Sequence, residues 1–159
     1  MIRVLLTMAA ACALVPAGPV QAADTPEPAP RAAPTVDPLA GARGHIAAKR
    51  WGEAIAELRR VNAGSNADWN NLMGYALRKQ ATPDLEGAQR HYDEALRINP
   101  RHLGALEYSG ELALMKGQLP VAEQRLAALQ RECRSPCEEL DDLKKAIDRF
   151  KANGNRWTP

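Results

Sequence analysis

With 159 residues and a formal charge of +2, the chain has room for one compact domain and too little for two. Hydrophobic residues make up 45% of it but aromatics only 4%, a bias toward packed helices and away from sheets, where aromatic and β-branched residues concentrate. Charges of both signs are interspersed, and no basic block or basic-aromatic stripe points to nucleic acid as a partner.

The first 22 residues read as an export signal. Arg3 supplies the positive n-region, Val4 to Val15 an apolar core, and Pro16-Ala17-Gly18-Pro19 a break. Val20-Gln21-Ala22 then predicts cleavage after Ala22. The apolar run of about 12 residues is short of the roughly 20 that span a bilayer. No membrane span is therefore expected once the signal is removed, and the mature protein is expected in the periplasm or secreted. Ala9-Ala10-Ala11-Cys12 loosely resembles a lipoprotein processing site, but the apolar stretch runs on past Cys12 and Ala9, not Leu, stands three residues before it. A soluble exported protein is the preferred reading. Cleavage would remove Arg3 from the 21 basic residues and leave a charge of +1 against 19 acidic ones, so bulk electrostatics says nothing about the partner.

Residues 23–36 are rich in Pro and Ala and show no periodicity, the composition of a flexible leader. From residue 37 onward the chain resembles itself. Trp51, Leu85 and Leu119 are spaced by 34, as are Ala54, Ala88 and Ala122, then Leu58, Tyr92 and Leu126, then Val61, Ala95 and Leu129. Within each copy the offsets of 3, 4 and 3 residues put these positions on one helical face. The Ala in that face lets a neighbouring helix approach closely. Gly74 and Gly110 stand 36 apart instead of 34, because the turn Gln80-Ala81-Thr82-Pro83-Asp84 is two residues longer than its counterpart after Met115.

Helices are predicted near 37–49, 52–62, 67–80, 84–98, 101–115 and 119–132, three pairs spanning residues 37–134. Thr82-Pro83-Asp84 predicts a start with a capping hydroxyl and Pro at the first helical position, and Asn99-Pro100 reads the same way. A last helix is predicted at about 136–152 within a 135–152 capping segment, with Ser135 and Glu138 at capping-box spacing. Leu140, Leu143, Ile147 and Phe150 form its apolar stripe, Asn153-Gly154 stops it, and 153–159 is a tail.

Leu72-Met73-Gly74-Tyr75 with Ala88, Tyr92, Ala95 and Pro100 resembles the tetratricopeptide consensus across a whole repeat. Copy three is similar through Gly110, Gly117 and Ala122; copy one has Ala42 where the consensus has Gly and rests on Trp51, Ala54 and Leu58. The resemblance covers roughly residues 35 to 134. It implies an all-α, right-handed superhelical array of three helical hairpins closed by the capping helix. It also implies a protein or peptide partner held on the concave face lined by the first helix of each repeat, without catalysis or cofactor. Carried over position by position, that face holds Arg43 and Ile46, then Asn71, Tyr75 and Arg78, then Glu107, Glu111 and Leu114. A carboxylate-gripping clamp is not expected, since Leu39 and Arg43 stand where it has Lys and Asn and copy three offers Glu instead of cations. The groove would run from basic (Arg43, Arg78) to acidic (Glu107, Glu111) and suit a partner of mixed charge.

Cys12 would leave with the signal, so Cys133 and Cys137 form an even pair in an exported chain, which points to a structural disulfide. Two other readings stand beside it. Cys137, in the first turn of a helix, suits a redox thiol. Two thiolates at this spacing suit a soft metal such as Cu(I), so a copper-handling or redox accessory protein is the alternative function. His45, His91 and His102 show no metal-binding spacing, and no nucleophile elbow or phosphate loop is present. Trp51 and Trp69 are expected to fill core between helices; Trp157 is either free or folded back.

Overall fold

The computed structural model describes residues 37–134 and 136–158; the expected signal and leader lie outside these residues. Among the described residues the chain is all-helical. In order come α1 (Ala40–Ala47), α2 (Trp51–Val61), α3 (Ala67–Lys79), α4 (Leu85–Ile98), α5 (Leu103–Met115), α6 (Leu119–Glu132) and α7 (Glu138–Ala152). None is long and apolar enough to cross a membrane.

The columns spaced by 34 fall on the first, fourth, eighth and eleventh residues of α2, α4 and α6. Ala54, Ala88 and Ala122 are all 0% exposed, as are Leu58, Tyr92, Ala95 and Leu129. One stripe thus sets the same buried face three times, and each helix packs against the next in sequence. α1 also touches α3, α3 touches α5, and α5 touches α7, whereas among the described residues no contact joins α2 to α4 or α4 to α6. The odd-numbered helices therefore form a closely spaced inner row and the even-numbered ones a splayed outer row.

Two glycines permit this spacing. A Cβ on Gly74 would stand 2.7 Å from the Tyr92 ring and 3.1 Å from the Ala88 carbonyl oxygen. A Cβ on Gly110 would meet a Leu143 methyl at 2.7 Å. The first contact brings α3 onto α4; the second brings α5 onto α7. Leu143, Ala146, Ile147 and Phe150 of α7 are buried in one cluster with Leu106, Ala113 and Leu129, and Trp157 folds back against that cluster. Trp69 is buried and donates from its indole nitrogen to the Leu58 carbonyl at 2.7 Å, while Trp51 meets Tyr75 edge-on at 5.8 Å.

The helix starts differ from the sequence reading. Pro83, Pro100 and Pro136 are expected to open helices, but all three lie in the turn before the capping residue. Thr82 does not cap α4: Asp84 does, its Oδ1 accepting from the Gly87 N–H at 2.8 Å. His102, not Asn99, caps α5 by accepting from the Ala105 N–H at 3.1 Å. Ser135 of the expected Ser135–Glu138 capping box lies outside the described residues; α7 starts at Glu138 with Cys137 at the cap and no side-chain cap bond. At α4 and α5 a polar side chain nearer the first free N–H groups takes the cap, and the proline remains outside the helix. Pro120, inside the first turn of α6, is the exception.

Gly74→Ala should destabilise the fold by about 1–3 kcal/mol through overpacking against Tyr92. Gly44→Ala, on exposed α1 with open space around the added Cβ, should instead stabilise by about 0.5–1 kcal/mol. Urea unfolding of the two variants measures both. The Cys133 and Cys137 sulfurs stand at disulfide distance with Cα atoms 5.8 Å apart, joining the end of α6 to the start of α7. On the chain-entropy account so short a loop contributes about 2 kcal/mol, so a Cys133→Ser/Cys137→Ser variant should unfold at correspondingly lower urea.

Candidate functional site

The inner row encloses a cleft of about 390 Å³ toward the N-terminal ends of its helices. α1 contributes Arg43 and Ile46; α3 contributes Asp68, Asn71, Leu72 and Tyr75. Gly104, Glu107 and Tyr108 come from α5 with its cap His102, and Glu138, Glu139 and Asp142 come from α7. A second hollow of about 410 Å³ lies toward the C-terminal ends, lined by Arg78, Lys79, Gln80, Pro83, Glu111, Met115, Arg149 and Trp157.

An ion pair marks the boundary between them. Arg78 is 3% exposed, and its Nη2 stands 2.7 Å from Glu111 Oε2. Its guanidinium also lies 5.5 Å from the Tyr75 ring centre and 5.6 Å from that of Tyr108. Burial works against the Arg78 charge, but Tyr92 and Glu111 outweigh it and raise its pKa further. Burial likewise raises Tyr75, Tyr92 and Tyr108, so their hydroxyls stay neutral at physiological pH. Arg78 is a fixed internal cation, and Glu111 neutralises it.

On the α1 side the charges are compensated. Arg43 lies 3.4 Å from both Asp37 and Asp68. His102 accepts the Ala105 N–H at Nδ1, so its proton sits on Nε2 and is donated to Asp68 at 2.9 Å. Toward α7 the cleft is acidic. Asp142 has an exposed pairing with Lys145 at 3.0 Å, which screens it little. Glu107 is 8% exposed and has neither ion pair nor hydrogen bond among the described residues. Burial pushes its carboxyl from the ordinary 4.5 up to about 8; Glu111, Asp142 and Glu139 add to the rise and Arg78 opposes it.

The expected contact residues therefore divide. Arg43, Ile46, Asn71, Tyr75 and Glu107 line one cleft. Arg78 and Glu111 line the other hollow and are spent on each other. Leu114 is no surface residue at all: it is 0% exposed, in the core cluster with α7 residues, because the last helix covers that end of α5. The expected gradient from Arg43 and Arg78 to Glu107 and Glu111 is replaced by an acidic cleft and a hollow rich in Arg and Lys. Sequence reasoning missed Glu138, Glu139 and Asp142 because α7 was read as a lid and not as a fourth inner helix. Its spacing carried the signal: Asn71, Glu107 and Asp142 are each the fifth residue of their helix.

Comparison with protein-family models, with curated proteins and with solved structures finds no match to this chain.

A carboxyl whose pKa rises on folding favours the folded state while it keeps its proton. That advantage is lost as pH climbs from about 4.5, where the unfolded chain ionises, to about 8, where the folded one does. Glu107→Gln should therefore be more stable than the parent by about 1 kcal/mol at pH 8.5, a value discounted because the cleft is open to water. The gain should vanish at pH 4. Denaturant unfolding at the two pH values measures the difference; a gain independent of pH would contradict the assignment.

Proposed function

We propose that this chain is an exported helical-repeat protein of the tetratricopeptide type that holds a segment of a partner protein along its inner row of helices. In this reading it scaffolds or helps assemble a complex in the bacterial periplasm, and it catalyses nothing. The array is the right-handed superhelix that the repeat consensus implies, with α7 closing its open end. The observation that carries the reading is the cleft itself: all four inner helices contribute polar and aromatic side chains to one concavity. A face of this kind, fixed by repeats behind it, suits an extended segment laid across the helices.

A photo-crosslinking residue in place of Ile46 or Tyr75 tests this in the intact cell. The proposal expects a discrete covalent adduct from both inner positions and none from Arg90, which is exposed on α4. The trapped protein should bind the purified parent and bind it more weakly after Tyr75→Ala. Equal adducts from position 90, or none from positions 46 and 75, would count against a partner on this face.

A second reading has one observation in its favour. Cys133, Cys137 and Glu139 bring two sulfurs and a carboxylate oxygen within 4.8 Å of one another. With the thiols reduced, that set suits a soft metal and the chain becomes a thiol-based copper-handling or redox accessory protein. Thiol titration of the protein taken from its compartment separates the readings: oxidised cysteines leave no ligand set for the metal.

A further inference from the structure

We infer that the cleft is a receptor for a lysine or arginine side chain carried by a basic segment of the partner protein, with Glu107 and Asp142 taking its charge and Asn71 accepting a further hydrogen bond. The inference rests on the reading of the inner row as a partner-binding face and names the chemistry that face takes.

Three neighbouring inner helices place their fifth residues, Asn71, Glu107 and Asp142, in the same cleft, and each carries a side-chain oxygen. Carboxylates in the first turn of a helix, such as Glu138 and Glu139, are explained by the helix dipole alone. Glu107 and Asp142 lie one turn further in, where that explanation fades.

Asn71 supplies an independent observation. The residue is 8% exposed, and its Oδ1 is buried with no hydrogen-bond partner. Its amide nitrogen is turned toward Gly104, where an added Cβ would meet it at 3.0 Å. The oxygen is left for an incoming donor. A buried acceptor without a donor is unfavourable, and a ligand N–H relieves it. Glu107, 8% exposed and without an ion pair or hydrogen bond among the described residues, sets a carboxyl in the same cleft.

The walls fit the rest of such a side chain. Ile46, Leu72 and Tyr75 offer apolar surface to a methylene stem while the charged head reaches the floor. The Tyr75 and Tyr108 rings already accept the Arg78 guanidinium inside the fold, so the aromatic surroundings favour cations. A bare divalent ion fits less well. Among the described residues the one set of ligand atoms close enough to hold a metal is Cys133, Cys137 and Glu139, and the other cleft carboxylates are not drawn together in that way. Spaced acceptors suit a guanidinium or ammonium on a flexible stem.

Short capped peptides test this directly. The ¹⁵N-labelled protein is titrated with acetyl-Ala-Arg-Ala-amide and acetyl-Ala-Lys-Ala-amide, and with analogues carrying citrulline or norleucine at the centre. The cationic peptides should shift the amides of Asn71, Tyr75, Gly104 and Glu107 in a saturating manner, and the neutral ones should bind about tenfold more weakly or worse. Glu107→Gln, which is expected to fold, and Asp142→Asn should each weaken the arginine peptide. Asp148→Asn, exposed on α7 outside the cleft, should not. If citrulline and norleucine peptides bind the same amides as tightly as the cationic ones, the partner face survives and the cation receptor is overturned. If Asp148→Asn weakens binding as much as Glu107→Gln, the attraction is general charge and the receptor is overturned as well. If no peptide shifts these amides, the receptor also falls, while crosslinking from positions 46 and 75 judges the wider reading separately.

Discussion

The structure depends on how closely consecutive helices approach at a few small residues. Ala54, Ala88 and Ala122 have no exposed surface, and Gly74 leaves just enough room for the Tyr92 ring and the Ala88 carbonyl. With small residues at these crossings, each pair closes on itself and the inner helices come within contact of one another while the outer ones do not. The cleft lies on the side where the inner helices meet. There Asn71, Glu107 and Asp142 stand at the same position of three neighbouring helices.

Placing an acidic cleft beside a buried Arg78–Glu111 pair has an electrostatic consequence. Arg78 is fixed by Glu111 and by two aromatic rings, so little of its charge is left to offset Glu107. Glu107 stands nearer to Glu111, Asp142 and Glu139 in effect than to any compensating cation, and it holds its proton to about pH 8. Between about pH 4.5 and pH 8 such a group progressively weakens the folded state, because the unfolded chain ionises first. The fold tolerates it because the alanine and glycine crossings and the α7 stripe supply stability elsewhere. Departures of this kind from local consistency are expected where a protein binds something.

Much of the helical scaffold was legible in the sequence because its signals are short-range and repeated. The four columns spaced by 34 gave the first, fourth, eighth and eleventh residues of three helices, and the two-residue insertion fell where expected, in residues 80–84 against 116–118. Helix starts were less legible. Asp84 and His102 took the caps of α4 and α5, and which polar group reaches a free N–H depends on turn geometry that spacing does not encode. The cleft was half legible. Asn71, Tyr75 and Glu107 were placed by register, but the removal of Leu114 into the core and the arrival of Asp142 both depend on where α7 docks. That docking includes the Gly110–Leu143 contact, between residues far apart in the chain.

The central claim is that the inner row holds a buried carboxyl short of positive charge, waiting for a cation. A ¹³C titration of the Glu107 side-chain carboxyl in the folded, ligand-free protein tests it most directly. The account predicts a midpoint near pH 8, since the carboxyl stands at about 8 in the cleft. A midpoint near the ordinary 4.5 would show a carboxylate already satisfied by water or by a cation of the protein's own, and would contradict it.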